Sequence, residues 1–233
     1  MTKAVVFDLD GTLYDEGAAY PTAMAAATAA AGELFGIAPA DFEERNRLAM
    51  KWQFAKTPLP PGSHSRHVRF MRALEALGKP PAGALELGRR YWSAFLDTIS
   101  PRPGTAELLS ALRASGLRVG LGTNMTTEVQ LAKLERLGLG GFFDFIVTSE
   151  EANAEKPAET FFDLVAEKAG CAREETLFCG DNLELDARGA ARAGMRGVWL
   201  RADPAKTAAD APDVPSVATL PEILNLLPEA LAR

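Results

Sequence analysis

The sequence predicts an α/β fold: a doubly wound, Rossmann-like parallel sheet with a helical domain inserted after its first strand. Short apolar runs alternate with amphipathic helical patterns through most of the 233 residues, as expected for strands covered on both faces. Residues 15–98 break this alternation, because they contain helical patterns only. We therefore predict two domains: a core formed by residues 1–14 and 99–233, and a helical domain formed by residues 15–98.

The predicted core repeats a strand, a helix and a strand, which indicates a parallel sheet with helices on both faces. The apolar runs that predict strands are residues 4–7, 118–123, 143–148, 176–179 and 197–200. The helical patterns between them, each followed by a glycine suited to a helix end, cover residues 105–115, 126–137, 158–169 and 185–193. In such sheets ligands bind beyond the carboxyl ends of the strands.

The inserted stretch consists of several amphipathic or alanine-rich patterns separated by proline-containing breaks. These patterns cover residues 18–31, 41–54, 68–77 and 85–96, with breaks at 58–62 and 79–81. Residues 15–98 hold ten Lys and Arg against nine Asp and Glu, a net charge of +1, so the remainder carries −7. This difference is compatible with an anionic substrate and equally with a solvated surface. We predict an irregular tail over residues 201–220 and a closing helix over 221–231.

Composition narrows the class of protein. An apolar share of 47% with 24% charged residues is typical of a soluble globular protein, and the net charge of −6 argues against non-specific nucleic-acid binding. Two cysteines, Cys171 and Cys179, are too few for a disulfide framework, and the apolar neighbours of Cys179 predict a buried, reduced thiol. His64 and His67 lack a neighbouring acid or thiol, so we interpret these two histidines as surface residues. Without a membrane-length apolar stretch or a signal-peptide pattern, we expect no membrane partner and a cytoplasmic location.

The first motif follows the first predicted strand and reads Asp8-Leu9-Asp10-Gly11-Thr12. A carboxylate at the end of a buried strand requires hydrogen bonds or a cation, and Asp8 can act as a nucleophile toward phosphorus. Asp10 can protonate a leaving oxygen and later activate water. Gly11 lets the chain turn and exposes N–H groups to phosphate. Alone, however, Asp-x-Asp-Gly is also typical of a turn or a calcium loop.

Two further motifs offer groups that bind phosphate. Thr123 and Asn124 follow the second strand, where a hydroxyl and an N–H group suit a phosphate oxygen, although such residues also cap helices. Lys156 precedes Pro157, and its ammonium can neutralise charge on the nucleophile and on the phosphoryl group. Taken alone, such a lysine is more often a solvated surface residue.

The fourth motif is a group of acids after the fourth strand. Asp181 and Asp186 offer the hard oxygen ligands that Mg²⁺ prefers, and such a metal holds a carboxylate and a phosphate together despite their like charges. Acids at a helix N-terminus are also stabilised by the helix dipole, which is our interpretation of Glu184. We expect Asp186 to orient either Lys156 or a metal-bound water.

These four segments, in this order, resemble the motifs of the haloacid dehalogenase-like (HAD) hydrolase superfamily. The resemblance extends from Val5 to about Leu200, and the helical insertion is similar to the cap of the family's first subclass. The resemblance implies catalysis through an aspartyl phosphate with Mg²⁺ as cofactor.

The resemblance also implies a role for the acidic residues. Asp8 is the nucleophile and a metal ligand, Asp10 is the acid/base whose main-chain carbonyl also ligates the metal, and Asp181 is a further ligand. Asp186 is a supporting acid. The residues expected to bind the phosphoryl group of the substrate are Gly11, Thr123, Asn124 and Lys156.

Departures from related subfamilies favour phosphate hydrolysis. Haloacid dehalogenases lack the second acid of the first motif and phosphonoacetaldehyde hydrolases carry alanine there, so Asp10 argues against both. Sugar phosphomutases of this cap class usually have Glu-Asp where this chain has Gly180-Asp181. The segments 148–157 and 180–186 look most like small-molecule phosphatases that act on nucleoside monophosphates or acylneuraminate phosphates.

The sequence therefore predicts a Mg²⁺-dependent phosphatase that hydrolyses a small phosphomonoester metabolite through an aspartyl phosphate on Asp8. A sugar phosphomutase and a non-catalytic binding protein on the same fold remain as alternatives. We expect a monomer or a homodimer. The choice of ester depends on side chains of residues 15–98, from which no substrate follows.

Overall fold

The computed structural model describes residues 1–55, 61–203 and 205–227. The chain divides into two compact units, which we call the core and the helical unit. The core comprises Met1–Asp15 and Ser100–Arg233, and the helical unit comprises Glu16–Ile99. These bounds lie one residue from those expected from the sequence.

The described part of the core contains a parallel sheet in the order β3-β2-β1-β4-β5-β6. Its strands are β1 (Ala4–Phe7), β2 (Arg118–Thr123), β3 (Phe145–Thr148), β4 (Thr176–Gly180), β5 (Arg196–Leu200) and β6 (Ser216–Val217). The strand order reverses beside β1, which lies between β2 and β4. This confirms the predicted doubly wound fold and places its switch point at the end of β1.

The described residues of the helical unit form an all-helical arrangement. Its helices are α1 (Ala19–Phe35), α2 (Pro39–Phe54), α3 (Arg66–Ala76) and α4 (Ala84–Thr98). Gly36, in the left-handed conformation, ends α1, and the Ser65 side chain accepts a hydrogen bond from Val68 N at the start of α3. The rings of Phe42 and Phe70 pack at 5.7 Å between centroids. Local capping and a shared apolar core thus explain these helices.

Two observations on this unit bear on the sequence predictions. Part of the predicted loop 58–62 lies outside the described residues, while Pro61–His64 forms a 3₁₀ turn. Within the described residues no single helix is long and apolar enough to cross a membrane. Only α1 and α2 taken together pass that test, and they are bent by 119° relative to each other.

The helices predicted between the strands of the core are present, and one short helix that was not predicted follows β3. The core helices are α5 (Thr105–Ala114), α6 (Thr127–Leu137), α7 (Ser149–Ala152), α8 (Glu159–Ala169) and α9 (Arg188–Arg192). Left-handed Gly138 and Gly170 end α6 and α8. Cys179 is buried and unpaired in β4, which agrees with the reduced thiol inferred from its apolar neighbours.

Parts of the second half of the core differ from prediction. The helix predicted over 185–193 is wrong at its start, because a π-helical turn covers Leu183–Ala187 before α9 and begins where the Asn182 side chain accepts from Glu184 N. The tail was predicted to be irregular, but it contributes β6, which forms by pairing with β5. A 3₁₀ helix over Leu220–Leu226 replaces the first part of the predicted closing helix, and residues 228–231 lie outside the described residues.

Candidate active site

The predicted polar residues lie at the carboxyl edge of the three central strands. Asp8 follows β1, Thr123 ends β2, and Asp181 follows β4. Because β2, β1 and β4 are neighbours, their ends meet at the switch point of the sheet. Asp8, Thr123 and Lys156 are each more than nine-tenths buried. Buried polar groups at this edge require partners, and the structure supplies them.

Lys156 joins two of the predicted acids. Its ammonium donates to Asp8 Oδ1 at 2.8 Å and to Asp186 Oδ1 at 2.6 Å. A further hydrogen bond, at 3.0 Å, goes to the main-chain carbonyl of Gly122. Burial disfavours this charge, yet the carboxylates of Asp186 and Asp8 raise the pKa of Lys156 above its ordinary value. Lys156 therefore remains charged and holds both carboxylates in place.

Asp8, Asp181 and Asp186 form a cluster of acids, with one oxygen of each lying within 4.8 Å of the others. Burial raises the pKa of Asp8 to about 7; Lys156 opposes this shift and the neighbouring acids add to it. Burial and the Asp8 charge raise the pKa of Asp181 to about 6. Crowded, buried carboxylates of this kind are stabilised by a divalent cation, and their hard oxygens fit Mg²⁺.

Thr12 holds Asp181 beside the turn after β1. Its hydroxyl donates to Asp181 Oδ1 at 3.0 Å and accepts from Asp181 N at 3.0 Å. Gly11 lies at φ +75°, and a Cβ atom there would be 2.6 Å from Asp181 Oδ2. The motif glycine thus has a steric reason, because any side chain would displace Asp181. The sequence analysis quoted Thr12 within the motif but assigned it no role.

Asp186 requires a glycine in the same way. A Cβ atom on Gly180 would overlap the Asp186 carboxylate. That carboxylate accepts from Asn182 N at 3.0 Å as well as from Lys156. Gly180, which differs from the Glu of the phosphomutase pattern, thus also makes room for the Asp186 carboxylate.

The Asp10 side chain has its own set of partners. Lys133 Nζ donates to Asp10 Oδ1 at 2.5 Å, Gln130 Nε2 donates to Asp10 Oδ2 at 2.9 Å, and the Tyr14 hydroxyl also donates to Oδ1. Gln130 and Lys133 are fully buried. Gln130 Nε2 also donates to Thr123 Oγ1 at 2.5 Å. We call Tyr14, Gln130 and Lys133 the Asp10 clamp.

The clamp keeps Asp10 ionised. Burial alone raises the pKa of a carboxyl group, but Lys133 and the other clamp donors bring the pKa of Asp10 below its ordinary value. Sequence reasoning missed the clamp because α6 has an ordinary amphipathic pattern. One signal was available: Gln130 and Lys133 occupy the same helix face as buried Leu134 and Leu137, where apolar residues are expected.

The Asn124 side chain binds the main chain of Lys156. Its side-chain carbonyl accepts from Lys156 N at 2.9 Å, and its amide donates to Lys156 O at 3.3 Å. The side chain therefore fixes the Lys156 main chain beside β2. Because both polar groups of the side chain bind Lys156, the backbone N–H of Asn124 is the group that could contact a phosphate.

The sequence model of the haloacid dehalogenase-like hydrolase family matches residues 2–194. The chain belongs to this family. The resemblance inferred from the four motifs is thereby confirmed, and the match covers most of the core together with the whole helical unit.

Similar proteins of the HAD family indicate the type of reaction. The chain is 40% identical over 201 residues to a ribulose-1,5-bisphosphate 5-phosphatase of Halopiger xanaduensis, covering 85% of this chain and 84% of that protein. It is 33% identical to a glyceraldehyde 3-phosphate phosphatase of Methanopyrus kandleri, with coverages of 86% and 84%. The chain is therefore an enzyme of the HAD phosphatase type.

The fold itself is shared with enzymes of other chemistry. A 2-haloacid dehalogenase structure from Pseudomonas syringae pv. Tomato superposes with a TM-score of 0.77 at 27% identity, over 100% of this chain and 99% of that one. Reaction type therefore follows from site residues rather than from the architecture. Here the second acid of the first motif, Asp10, is present and is held by three donors.

Proposed function

We propose that this HAD enzyme is a Mg²⁺-dependent phosphatase that hydrolyses a small phosphomonoester metabolite through an aspartyl phosphate on Asp8. The observation that supports it best is the environment of Asp8. Its buried carboxylate lies 2.8 Å from the Lys156 ammonium and within 4.8 Å of two further acids. Its relatives act on ribulose bisphosphate and glyceraldehyde 3-phosphate, both small phosphorylated metabolites.

The chemistry of the donors supports a resident metal. Asp8 and Asp181, with the main-chain carbonyl of Asp10, are the residues that would hold Mg²⁺. When bound, the ion would supply positive charge for the phosphoryl oxygens and for the crowded carboxylates.

In the proposed reaction, Asp8 attacks phosphorus and forms the acyl phosphate while the ester oxygen leaves. Asp10 gives a proton to that oxygen and then takes a proton from the water that hydrolyses the acyl phosphate, releasing alcohol and inorganic phosphate. Lys156 and Thr123 stabilise charge on the phosphoryl group. The clamp, which holds Asp10 ionised, suits its role as a base. In the first step the carboxyl group must instead hold a proton.

We also propose that the helical unit is the cap that selects the ester. Its support is the family match, which includes these residues, and its all-helical composition, which agrees with the expected cap.

Hydrolysis of p-nitrophenyl phosphate with Mg²⁺ tests the nucleophile. We expect Asp8→Asn to lose at least about 10³-fold in kcat, as for other nucleophile removals, with an unchanged circular dichroism spectrum. Exposed Asp41 in α2 provides a control, Asp41→Asn, with wild-type turnover expected. Normal turnover by Asp8→Asn would exclude the acyl phosphate. Dependence on a bisphosphate activator would favour a mutase, and inactivity across a broad phosphate panel would favour a binding protein.

Chelation tests the metal. We expect EDTA to abolish turnover and added MgCl₂ to restore it. Asp181→Asn should raise the Mg²⁺ concentration needed for half-maximal activity by at least about tenfold, because it removes one charged ligand. Unchanged activity in EDTA would mean that the acids serve another purpose.

A further inference from the structure

Helix α3 carries two buried arginines whose hydrogen-bond partners are neutral. Arg66 is 7% exposed and Arg69 is 6% exposed. Arg66 Nη1 donates to the main-chain carbonyl of His64 at 2.9 Å, and Arg69 Nε donates to Gln53 Oε1 at 2.9 Å. Arg66 Nε is buried and has no hydrogen-bond acceptor among the described residues. Arg66 therefore retains an N–H group without an acceptor among the described residues, in a place shielded from water.

Exposed arginines of the same unit, by contrast, form ion pairs with carboxylates. Arg47 pairs with Glu44, and Arg90 pairs with Glu86, at N–O distances of 2.6 and 3.0 Å. Within the described residues, neither Arg66 nor Arg69 forms an ion pair with a carboxylate. This is the reverse of the usual pattern, in which buried charges are paired and exposed ones need no partner.

Aromatic rings compensate only part of this charge. The Arg66 guanidinium lies 5.6, 5.3 and 5.5 Å from the ring centroids of Tyr20, Tyr91 and Trp92. Such contacts stabilise a cation by about 0.5–2 kcal/mol, but the aromatic rings do not replace oxygen acceptors for the N–H groups of the guanidinium. Burial and the neighbouring Arg66 charge lower the pKa of Arg69 to about 10. The two cations thus repel each other, and no carboxylate among the described residues pairs with either of them.

We propose that Arg66 and Arg69 form an anion-binding site of the helical unit that takes a phosphate or a carboxylate group. Guanidinium forks bind these planar or tetrahedral anions through paired, charge-assisted hydrogen bonds. The aromatic side chains around Arg66 hold one fork in place before the anion arrives, which lowers the entropy cost of binding.

Two sources can supply such an anion: a second anionic group on the substrate, or a separate small anion. The first source rests on the phosphatase function proposed above, and the second does not. The two arms of the experiment below therefore separate these sources, and they separate failure of the anion site from failure of the enzyme activity.

The first arm measures binding without turnover. Thermal unfolding of the full-length chain is followed in sodium sulfate and in sodium chloride at equal ionic strength, which removes general screening. We expect sulfate to stabilise the wild type specifically, and its apparent affinity to fall at least about tenfold in Arg66→Met and Arg69→Met. Sulfate bound in the core is common to all variants, so the difference reports the helical unit.

Arg72→Met is the matched control. Arg72 lies one turn beyond Arg69 on the same helix, and its guanidinium lies 3.7 Å from the Trp52 ring centroid. It removes a positive charge of the same type from the same helix but leaves the buried pair intact. We expect it to retain the wild-type response to sulfate.

The second arm compares two substrates of equal length, 3-phosphonooxypropanoate and 3-hydroxypropyl phosphate. If the substrate supplies the anion, the kcat/KM of the wild type is about 10- to 100-fold higher for 3-phosphonooxypropanoate, which carries the carboxylate, than for 3-hydroxypropyl phosphate. This ratio is expected for charge-assisted hydrogen bonds. That preference should vanish in Arg66→Met and Arg69→Met and persist in Arg72→Met. A ratio near one, together with a positive sulfate arm, assigns the site to a separate anion.

The proposal is overturned if sulfate stabilises the methionine variants as much as it stabilises the wild type. If the methionine variants do not fold, Arg66→Lys and Arg69→Lys are used in their place. Lysine keeps the positive charge but lacks the planar guanidinium group, so both lysine variants should bind sulfate more weakly than the wild type. Wild-type sulfate affinity in both lysine variants would equally overturn it. If no ester is hydrolysed, the phosphatase proposal fails while the sulfate arm still decides the anion site.

Discussion

The core and the helical unit differ in the partners of their buried cations. In the core, Lys156 and Lys133 are buried, and each ammonium binds carboxylates, those of Asp8 and Asp186 in one case and of Asp10 in the other. In the helical unit, Arg66 and Arg69 are almost as buried, but they donate hydrogen bonds to neutral groups, the main-chain carbonyl of His64 and the side-chain amide oxygen of Gln53.

This difference separates two uses of buried charge. A buried cation with a carboxylate partner fixes that carboxylate, and removing it leaves an uncompensated charge that typically costs about 3–5 kcal/mol. A buried cation without such a partner already bears its burial cost, so its removal is inexpensive for folding. Paired lysines therefore position the acids of the core, whereas the arginine pair remains available to an outside anion.

Lys156→Met should give the largest effect on stability. It leaves Asp8 and Asp186 buried together without their shared cation, so we expect the free energy of unfolding to fall by about 3–5 kcal/mol. Urea denaturation combined with hydrogen exchange of β1 and β4 measures it. Lys168→Met, which removes a partly exposed pair with Glu151, is the control and should cost less than about 1 kcal/mol. Equal losses in both variants would contradict a structural role for the buried pair.

Lys133→Met should destabilise the core less. Asp10 keeps its hydrogen bonds from Tyr14 and Gln130, and its side chain is 19% exposed, so we expect a loss of about 1.5–3 kcal/mol.

The same variant tests whether the clamp keeps Asp10 ionised for its role as a base. Lys133 is the group that most lowers the pKa of Asp10, so Lys133→Met should raise that pKa and move the acid limb of the kcat–pH profile to higher pH. Turnover of 3-hydroxypropyl phosphate from acidic to neutral pH measures this shift. An acid limb at the wild-type pH would mean that Lys133 only stabilises the fold.

Arg69→Met should have the smallest effect on stability. The variant loses the hydrogen bond to Gln53 but relieves a buried, unpaired charge, so we expect a change within about 1 kcal/mol in either direction. Hydrogen exchange of α3 measures it in chloride buffer. A loss of 3 kcal/mol or more would show that Arg69 has a counter-charge within the protein, and the contrast between the units would fail.

Local sequence was enough to predict much of the core and its motif residues. The apolar runs of β1 and β2 end at Asp8 and Thr123, and parallel strands bring such ends together, so the position of the candidate site followed directly. The glycines that end α6 and α8 also act locally, through a backbone conformation that other residues rarely adopt.

Other features depended on partners distant in the chain. The two-residue strand β6 exists because it pairs with β5, and its own residues carry no strand pattern. Lys133 lies in a helix that would look ordinary without Asp10, its partner 123 residues earlier. The Asn124 side chain binds the Lys156 main chain 32 residues away, a contact that no local pattern indicates.

The sequence by itself determined the α/β class, the helical insertion, the order of the four motifs and the residue types at the site, because strand patterns, turns and helix ends follow from short-range sterics and apolar periodicity. Only the tertiary structure decided which buried charges have partners: Lys156 and Lys133 with acids, Arg66 and Arg69 with neutral groups. Charge pairing depends on distances of a few ångströms between segments far apart in sequence, and no local pattern encodes those distances.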